Sequence, residues 1–585
     1  MSGFVAPLRD VRFAIEHIAG LDHVLGLEPF RHAERDVVGS LLEECARFVQ
    51  DLVAPLNRVG DIEGSTLEDG HVATPPGFQE AYKSYVNAGW GTIGAPARWG
   101  GAGMPRILGV AVEELFTSGC LSFSTGPLLT ASAIAAIAAH GTDDQRDLYL
   151  PRMITGEWSA TMNLTESHAG SDVGALDTKA HPAGDGTYRL TGTKIFITYG
   201  DHDMAANVIH LVLARIPGSP PGTKGISMFI VPKFLPDVAG EPGERNDVKV
   251  VSLEHKLGIK ATPTCVMVYG EDRGGAIGYL LGDTDQGMRN MFTMMNTARI
   301  SVGIQGMAVA ERAYQQAAAY ARERRQGRAV GASEAMSPII DHPDVRRMLM
   351  TMRSYTEAMR ALIYRTAMHQ DLSRGAPDED QRRRHSKCLA LLTPIVKSWC
   401  TEIGTDVASI GIQVHGGMGY IEETGAAQHW RDARITPIYE GTNGIQAIDL
   451  VMRKLPIDGG RFVESYIRSL RPSVAALREV EWYEAADSLE AALSRLEDAT
   501  GRLLAESDRP NRVLAGASPY CLMFGGVAAG AMMAESGAAA IAAGDRHKQA
   551  TCRFYLEQLL PLSTALHGAV TGGEEVLFDI GAADL

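Results

Sequence analysis

A chain of 585 residues with 45% hydrophobic, 21% charged and 6% aromatic residues has ordinary globular proportions, and at ~150 residues per domain its length calls for three or four structural units. The formal charge of −15 repels polyanions, so nucleic acid is not expected as a partner and any anionic ligand must be captured locally. Seven cysteines without a C-x-x-C pair read as buried free thiols, no histidine cluster has zinc-ligand spacing, and the absence of Walker A, G-x-S-x-G and G-x-G-x-x-G patterns removes three common enzyme classes.

The opening residues carry Asp10 and Glu16 and no long apolar core, so they do not read as a secretory signal. After an N-terminal extension over 1–35, the helical period sets in. Leu41-Leu42, Cys45-Ala46 and Val49 lie three or four apart, as do Val110-Ala111 and Glu114-Leu115, which predicts a helical domain over 36–158. Its longest apolar stretch, Leu128 to Ala139, is interrupted by Thr130 and Ser132 and falls short of the ~20 residues of a membrane span. It reads as a buried helix, and the expected location is cytoplasmic.

From 159 to 275 the period changes to two. Short β-type runs such as Tyr188 to Leu190, Ile195 to Thr198, Val208 to Ile216 and Ile226 to Val231 predict a barrel-like β domain. Over 276–455 the helical stripe returns at Met291, Met294, Met295, Ala298 and Val302, which predicts a helix bundle. Asp378 to Arg384 reads as a connection between its helices, with Arg382 to Arg384 in solvent. A further helical domain is predicted over 456–585, with Gly/Ala-rich text at 525–544. The class is α+β, built in successive segments.

Five segments carry candidate chemistry. Met162 to Val173 is rich in hydroxyls and glycine, which suits donors approaching a polar ring or phosphate. Gly192 to Thr198 reads as a strand placing Phe196 and Thr198 on one face, an aromatic surface beside a hydroxyl. Tyr320 to Arg328 holds four arginines, of the kind that grip pyrophosphate. Gln413 to Tyr420 includes Gly416, Gly417 and Gly419, which allow close backbone approach. In Arg431 to Gly444, Glu440 is a carboxylate in an apolar run, where a general base can be kept partly desolvated.

These segments resemble the acyl-CoA dehydrogenase family over nearly the whole chain. The matching text is Thr165-Glu166-x-x-Ala169-Gly170-Ser171-Asp172, Gly192-x-Lys194-x-x-Ile197-Thr198, Lys256-Leu257-Gly258, Ala298-Arg299, Glu323-Arg324, Gln413-x-x-Gly416-Gly417-x-Gly419-Tyr420 and Arg431-Asp432-x-Arg434-x-x-x-Ile438-Tyr439-Glu440-Gly441-Thr442. The opening Ala6 to Phe13, Met294-Met295-Asn296 and the long tail are similar to the enlarged branch that includes the 3-methylmercaptopropionyl-CoA dehydrogenases. The resemblance implies a helical N-terminal domain, a β-barrel-like middle domain and a C-terminal four-helix bundle, with the tail as an appended helical domain.

It also implies FAD-dependent α,β-dehydrogenation of an acyl-CoA, either 3-(methylthio)propanoyl-CoA or a straight-chain acyl-CoA, with Glu440 as the base. Met162, Leu164, Thr165, Phe196 and Thr198 are expected along the isoalloxazine. Arg324 and Gln326, with Gln413, Gly416 and Gly417 of a neighbouring subunit, are expected at the diphosphate and adenosine, joined by Thr442 and Asn443. Ser171 lies at the cofactor and CoA, Gly441 at the substrate, and Arg299 either at CoA or as a strut within the bundle. Electron-transferring flavoprotein is the expected acceptor, a homodimer the expected assembly, and no metal is implied. Phe196 replaces the family's frequent Trp, and Ala298 stands where some branches place their base. The alternatives are an acyl-CoA oxidase and a DNA-associated flavoprotein of the same superfamily.

Overall fold

The computed structural model describes residues 3–585. Among shorter pieces, the first part of the chain forms helices α1 (Arg35–Phe48), α2 (Arg106–Gly119), α3 (Leu121–His140) and α4 (Asp143–Thr155). α1 buries Val38, Leu42, Cys45 and Ala46, the stripe expected from their spacing. α4 starts on a capping box between Thr142 and Gln145 and stops at Gly156, whose φ of 88° is left-handed.

The eight strands of the main sheet follow: β1 (Trp158–Asn163), β2 (Lys179–Pro182), β3 (Tyr188–Thr198), β4 (Asn207–Ala214), β5 (Ser227–Pro232), β6 (Val248–Leu253), β7 (Thr264–Tyr269) and β8 (Ala276–Leu280). The long helices are α5 (Gly287–Glu323), α6 (Pro343–Gly375) and α7 (Glu379–His415), followed by the short α8 (Ala426–Ala433) and α9 (Asn443–Asp449). The tail contributes α10 (Arg461–Ser469), α11 (Tyr483–Ala505) and α12 (Ala517–Ala542) among shorter pieces. The fold is thus α+β, with helical N- and C-terminal parts around a β-sheet middle.

Two compact units cut across the segments named from the sequence. One joins Arg47–Met104 to Gly119–Ala298; the other gathers the residues up to Ala46, Pro105–Ser118 and Arg299–Leu585.

In the first unit the sheet order is β6-β7-β3-β8-β5-β4-β1, with β2 on β3. β4 and β5 are buried along their whole lengths, because apolar side chains pack on both faces. α3 and α4 supply Leu129, Ile137 and Tyr149 against Trp158, Ile209 and Met228 on one side, while Leu190, Val212, Phe229 and Met267 close the other. The chain after β1 returns to β3, where Ile195 N–H donates to the Thr165 carbonyl at 2.9 Å.

In the second unit α5 and α7 approach at backbone distance. A Cβ on Gly404 would stand 2.3 Å from the Gly306 carbonyl oxygen. Arg360 of α6 is fully buried and donates to Glu114 at 2.8 Å and to Glu311 at 2.9 Å, while the Tyr364 hydroxyl donates to the second Glu114 oxygen at 2.8 Å. The connection between α6 and α7 is shorter than the sequence suggests. Asp378 caps α7 by accepting from the amides of Asp380 and Gln381, so Arg382 to Arg384 belong to the helix.

The Gly/Ala-rich text at 525–544 lies mainly in α12, whose small residues allow close packing. A Cβ on Gly525 would lie 2.4 Å from Trp399 Cγ. α3 and α12 are long and apolar enough by composition to cross a membrane, but 78% and 83% of their apolar windows are buried in the structure. All seven cysteines are free and buried.

Candidate functional site

In the β unit, Met162 ends buried in β1, and Leu164 and Thr165 continue beside β3. The alternation expected for β3 breaks at Phe196. Cys265 of β7 pairs with Ile197 but Met267 with Lys194, so β3 carries an extra residue opposite β7, a β-bulge. Phe196 takes a φ of +58°, rare for an aromatic residue, and stands 58% exposed. The two-residue face with Thr198 is therefore absent, and the bulge aims the ring outward instead. The Thr165 and Thr198 hydroxyls are partly exposed and have no hydrogen-bond partner among the described residues. An exposed ring with open hydroxyls nearby fits a flat polar heterocycle.

A buried ion pair braces this edge. Lys194 Nζ donates to Glu166 at 2.8 Å and to the Leu164 carbonyl at 3.0 Å. Burial lowers the Lys194 pKa to about 8 against the opposing pull of Glu166. For Glu166 burial pushes upward, but Lys194, Thr178 and the Asp177 amide hold the carboxyl below its ordinary range. Both residues lay in the matched motifs, yet their spacing in sequence gave no sign that they pair. Ser171 is exposed on the following loop.

In the helical unit, Arg324 and Gln326 are both exposed just beyond α5, and the Arg324 guanidinium approaches Gln326 Oε1 at 3.5 Å. Their neighbours are occupied locally: Arg325 pairs with Glu334 at 2.6 Å and Arg328 donates to the Ala332 carbonyl at 2.7 Å. Of these three side chains, Arg324 alone is bound neither to a carboxylate nor to a main-chain carbonyl. Arg324→Ala is accordingly expected to release FAD on dilution or gel filtration while Arg328→Ala retains it; equal retention contradicts the assignment.

Gln413, Gly416 and Gly417 are exposed at the end of α7, where Gly416 adopts φ 59° and ψ −140°, a conformation open only to glycine. Beside them Met418, Tyr420 and Ile421 are large apolar side chains 48%, 88% and 45% exposed.

Glu440 sits in the bend between α8 and α9 with a φ of +58°, followed by Gly441 at +80°. Gln446 Nε2 holds the bend by donating to the carbonyls of Glu440 at 3.1 Å and Gly441 at 3.3 Å. Left-handed backbone at a carboxylate is strain of the kind found at active sites. Glu440 Oε2 is buried with no hydrogen-bond partner among the described residues. Burial raises its pKa, opposed by Arg299 and Lys397, so the carboxylate binds a proton more readily than an ordinary one.

Two further residues of the matched motifs are engaged within the helical unit. Arg299 is buried, 3.9 Å from Asp449, and feels both Asp449 and Glu440, an arrangement that fits the strut reading. Both ends of the Asn443 amide are engaged: its Oδ1 accepts from Lys397 at 2.9 Å and Thr401 at 3.2 Å, and its Nδ2 donates to the Ser398 carbonyl and Glu402. With both ends of the amide engaged on α7, Asn443 anchors the start of α9. Thr442 caps α9 by accepting from the Ile445 amide at 3.3 Å.

Lys397 has no counterpart in the sequence reading. It is fully buried, and burial lowers its pKa to about 7, with Glu440 and Glu402 pulling upward and Arg299 downward. The available signal was one charged residue inside the apolar run Ile395-Val396-Lys397-Ser398-Trp399. Because protonated Lys397 favours the Glu440 carboxylate, Lys397→Met raises the Glu440 pKa further. The acidic limb of the pH profile for substrate-driven flavin reduction is then expected to move to higher pH, and an unmoved limb contradicts the coupling.

Four family matches tile the chain. Residues 39–157 match the acyl-CoA dehydrogenase N-terminal domain, 161–271 the middle domain, 285–455 the C-terminal domain, and 463–581 the acetyl-CoA dehydrogenase C-terminal like family. The sequence is 44% identical to 3-methylmercaptopropionyl-CoA dehydrogenase of Ruegeria pomeroyi, covering 97% of this chain and 98% of that protein. Caenorhabditis elegans ACDH-11, solved in complex with C11-CoA, is 22% identical with a TM-score of 0.77, covering 100% of this chain and 97% of the other. An acyl-CoA dehydrogenase complexed with FAD from Bacillus anthracis is 20% identical with a TM-score of 0.73, over 94% and 90% of the two chains. At those identities the two structures speak for the fold.

Proposed function

Because the chain belongs to the acyl-CoA dehydrogenase family and is an oxidoreductase, we propose that it oxidises 3-(methylthio)propanoyl-CoA to the trans-2-enoyl thioester. The observation that carries the chemistry is the buried, unpartnered oxygen of Glu440. A carboxylate so placed accepts the pro-R α-proton of the thioester. Burial raises its pKa, which strengthens its affinity for a proton, while Arg299 and Lys397 oppose that rise. The Glu440 main-chain N–H polarises the thioester carbonyl and stabilises the charge that develops as the α-proton leaves.

The cofactor is FAD, which when bound accepts the β-hydrogen with its electron pair. The residues present fit it. Phe196 offers a ring face, Thr165 and Thr198 offer hydroxyls, and Arg324 with Gln326 offers a planar cation and an amide to the diphosphate. The exposed Gln413, Gly416 and Gly417, flanked by Met418, Tyr420 and Ile421, support a homodimer in which this loop reaches a second copy's cofactor. Light scattering is expected to give twice the chain mass; an FAD-loaded monomer contradicts it.

The 44% identical relative supports the methylthio substrate over straight-chain acyl-CoAs. The test is steady-state turnover of the FAD-loaded protein with electron-transferring flavoprotein as acceptor, across 3-(methylthio)propanoyl-CoA, butyryl-CoA and longer thioesters. The highest kcat/KM is expected for the methylthio substrate. A higher value for a straight chain overturns the substrate, and peroxide formation in place of acceptor reduction overturns the dehydrogenase in favour of an oxidase.

A further inference from the structure

Where α6 and α7 meet α10 and α12, the helical unit encloses a cavity of about 360 Å³, within the ~300–1,000 Å³ typical of small-molecule pockets. It uses none of the residues given a role in dehydrogenation. Gln381, Arg384 and Ser469 are exposed at its rim, and Leu470 and Met532 are buried in its floor.

Its walls are basic. Arg365 donates to Glu535 and to the Ile18 carbonyl, whereas Arg384 has no hydrogen-bond or ion-pair partner among the described residues. His369 and His385 face each other with Nδ1 atoms 2.8 Å apart, so one ring donates and the other accepts. The Tyr466 hydroxyl is buried with no hydrogen-bond partner among the described residues.

An unsatisfied buried donor beside an unpaired guanidinium calls for a ligand rich in acceptors. A metal ion is disfavoured by the same two guanidinium groups and by the mutual hydrogen bond of the imidazoles. We propose that this cavity binds a small oxyanion, a carboxylate or phosphate group held by Arg384, the Tyr466 hydroxyl and the histidine pair.

Proton uptake should accompany binding. Burial, His385, Arg365 and Arg384 push the His369 pKa down to about 3, and burial, Arg384 and His23 lower that of His385. The other titratable groups lining the cavity are Cys388, pushed up to about 11, Tyr466, also pushed up by burial, and Glu535. Glu535 is engaged by Arg365, so the net field at the pair is positive. A bound anion reverses that field, favours an imidazolium and tightens binding as the pH falls.

The test is calorimetric titration of the FAD-loaded protein with sulfate, which mimics phosphate without titrating, and separately with acetate, at pH 6 and pH 8 and constant ionic strength. Saturable binding is expected, tighter at pH 6, accompanied by proton uptake and weakened at least tenfold in both Arg384→Ala and Tyr466→Phe. Flavin reduction by acyl-CoA should be unchanged in Arg384→Ala. The tighter probe tells a carboxylate ligand from a phosphate one. Equal affinity in wild type and both variants, or no saturable binding, overturns the site.

Discussion

Glu440→Gln is expected to slow flavin reduction by acyl-CoA by about 10²–10⁴-fold, the range for losing a general base, while leaving FAD content unchanged. Gln preserves the shape of the side chain but cannot accept a proton. The Gln446 bonds that hold the bend go to main-chain carbonyls at 440 and 441, so the substitution leaves them in place. The wild-type carboxyl titrates above its ordinary value because burial disfavours its charge. Activity that depends on the ionised form should therefore fall as the pH drops through that raised value, and the variant should lose this limb. Rapid anaerobic mixing checks both points. A near-wild-type rate means another base acts, and loss of FAD means that Glu440 is structural.

Arg360→Met is expected to destabilise the fold by about 3–5 kcal/mol, the usual effect of removing one partner from a buried ion pair. Glu114 and Glu311 would remain enclosed without their shared cation. Burial already raises the Glu114 pKa, and Arg360 is the main force opposing it. Without Arg360 the folded-state pKa lies further above the unfolded value of ~4.3. A raised folded pKa contributes stability below the unfolded pKa that is lost as pH rises through the folded pKa. The deficit of the variant should consequently be smaller near pH 5 than near pH 8. Urea unfolding at both pH values measures it, and adding Glu114→Gln should recover part of the loss. A deficit independent of pH would assign the effect to packing alone.

The architecture was legible where one physical force acts along a whole element. β4 and β5 are buried on both faces and read as continuous apolar runs, and α1 carries a single apolar stripe. Legibility failed where a local irregularity decides the outcome. Strict alternation put Phe196 and Thr198 on one face, but an extra residue against β7 turned the ring outward. Glu440 stood out as a charge in an apolar run and matched a motif, whereas Lys397 carried the first signal without the second. At Asn443 the motif position suggested a cofactor contact, and nothing in the sequence signalled that α7 holds its amide. Arg384 read as solvated and is exposed, but only the packing of α10 and α12 against α6 and α7 puts it at the rim of a cavity. Such pairings join residues distant in the chain, which periodicity cannot register.

The central claim is removal of two hydrogens from a thioester, with Glu440 taking the proton. It is tested most directly by mixing the FAD-loaded protein with 3-(methylthio)propanoyl-CoA in the absence of oxygen and other acceptors, then quantifying the thioester products. The account predicts bleaching of the flavin with one equivalent of the trans-2-enoyl thioester formed per FAD reduced, and neither change on that timescale in Glu440→Gln. Flavin that stays oxidised in the wild-type protein with every acyl-CoA offered, or bleaching without an enoyl product, would contradict it.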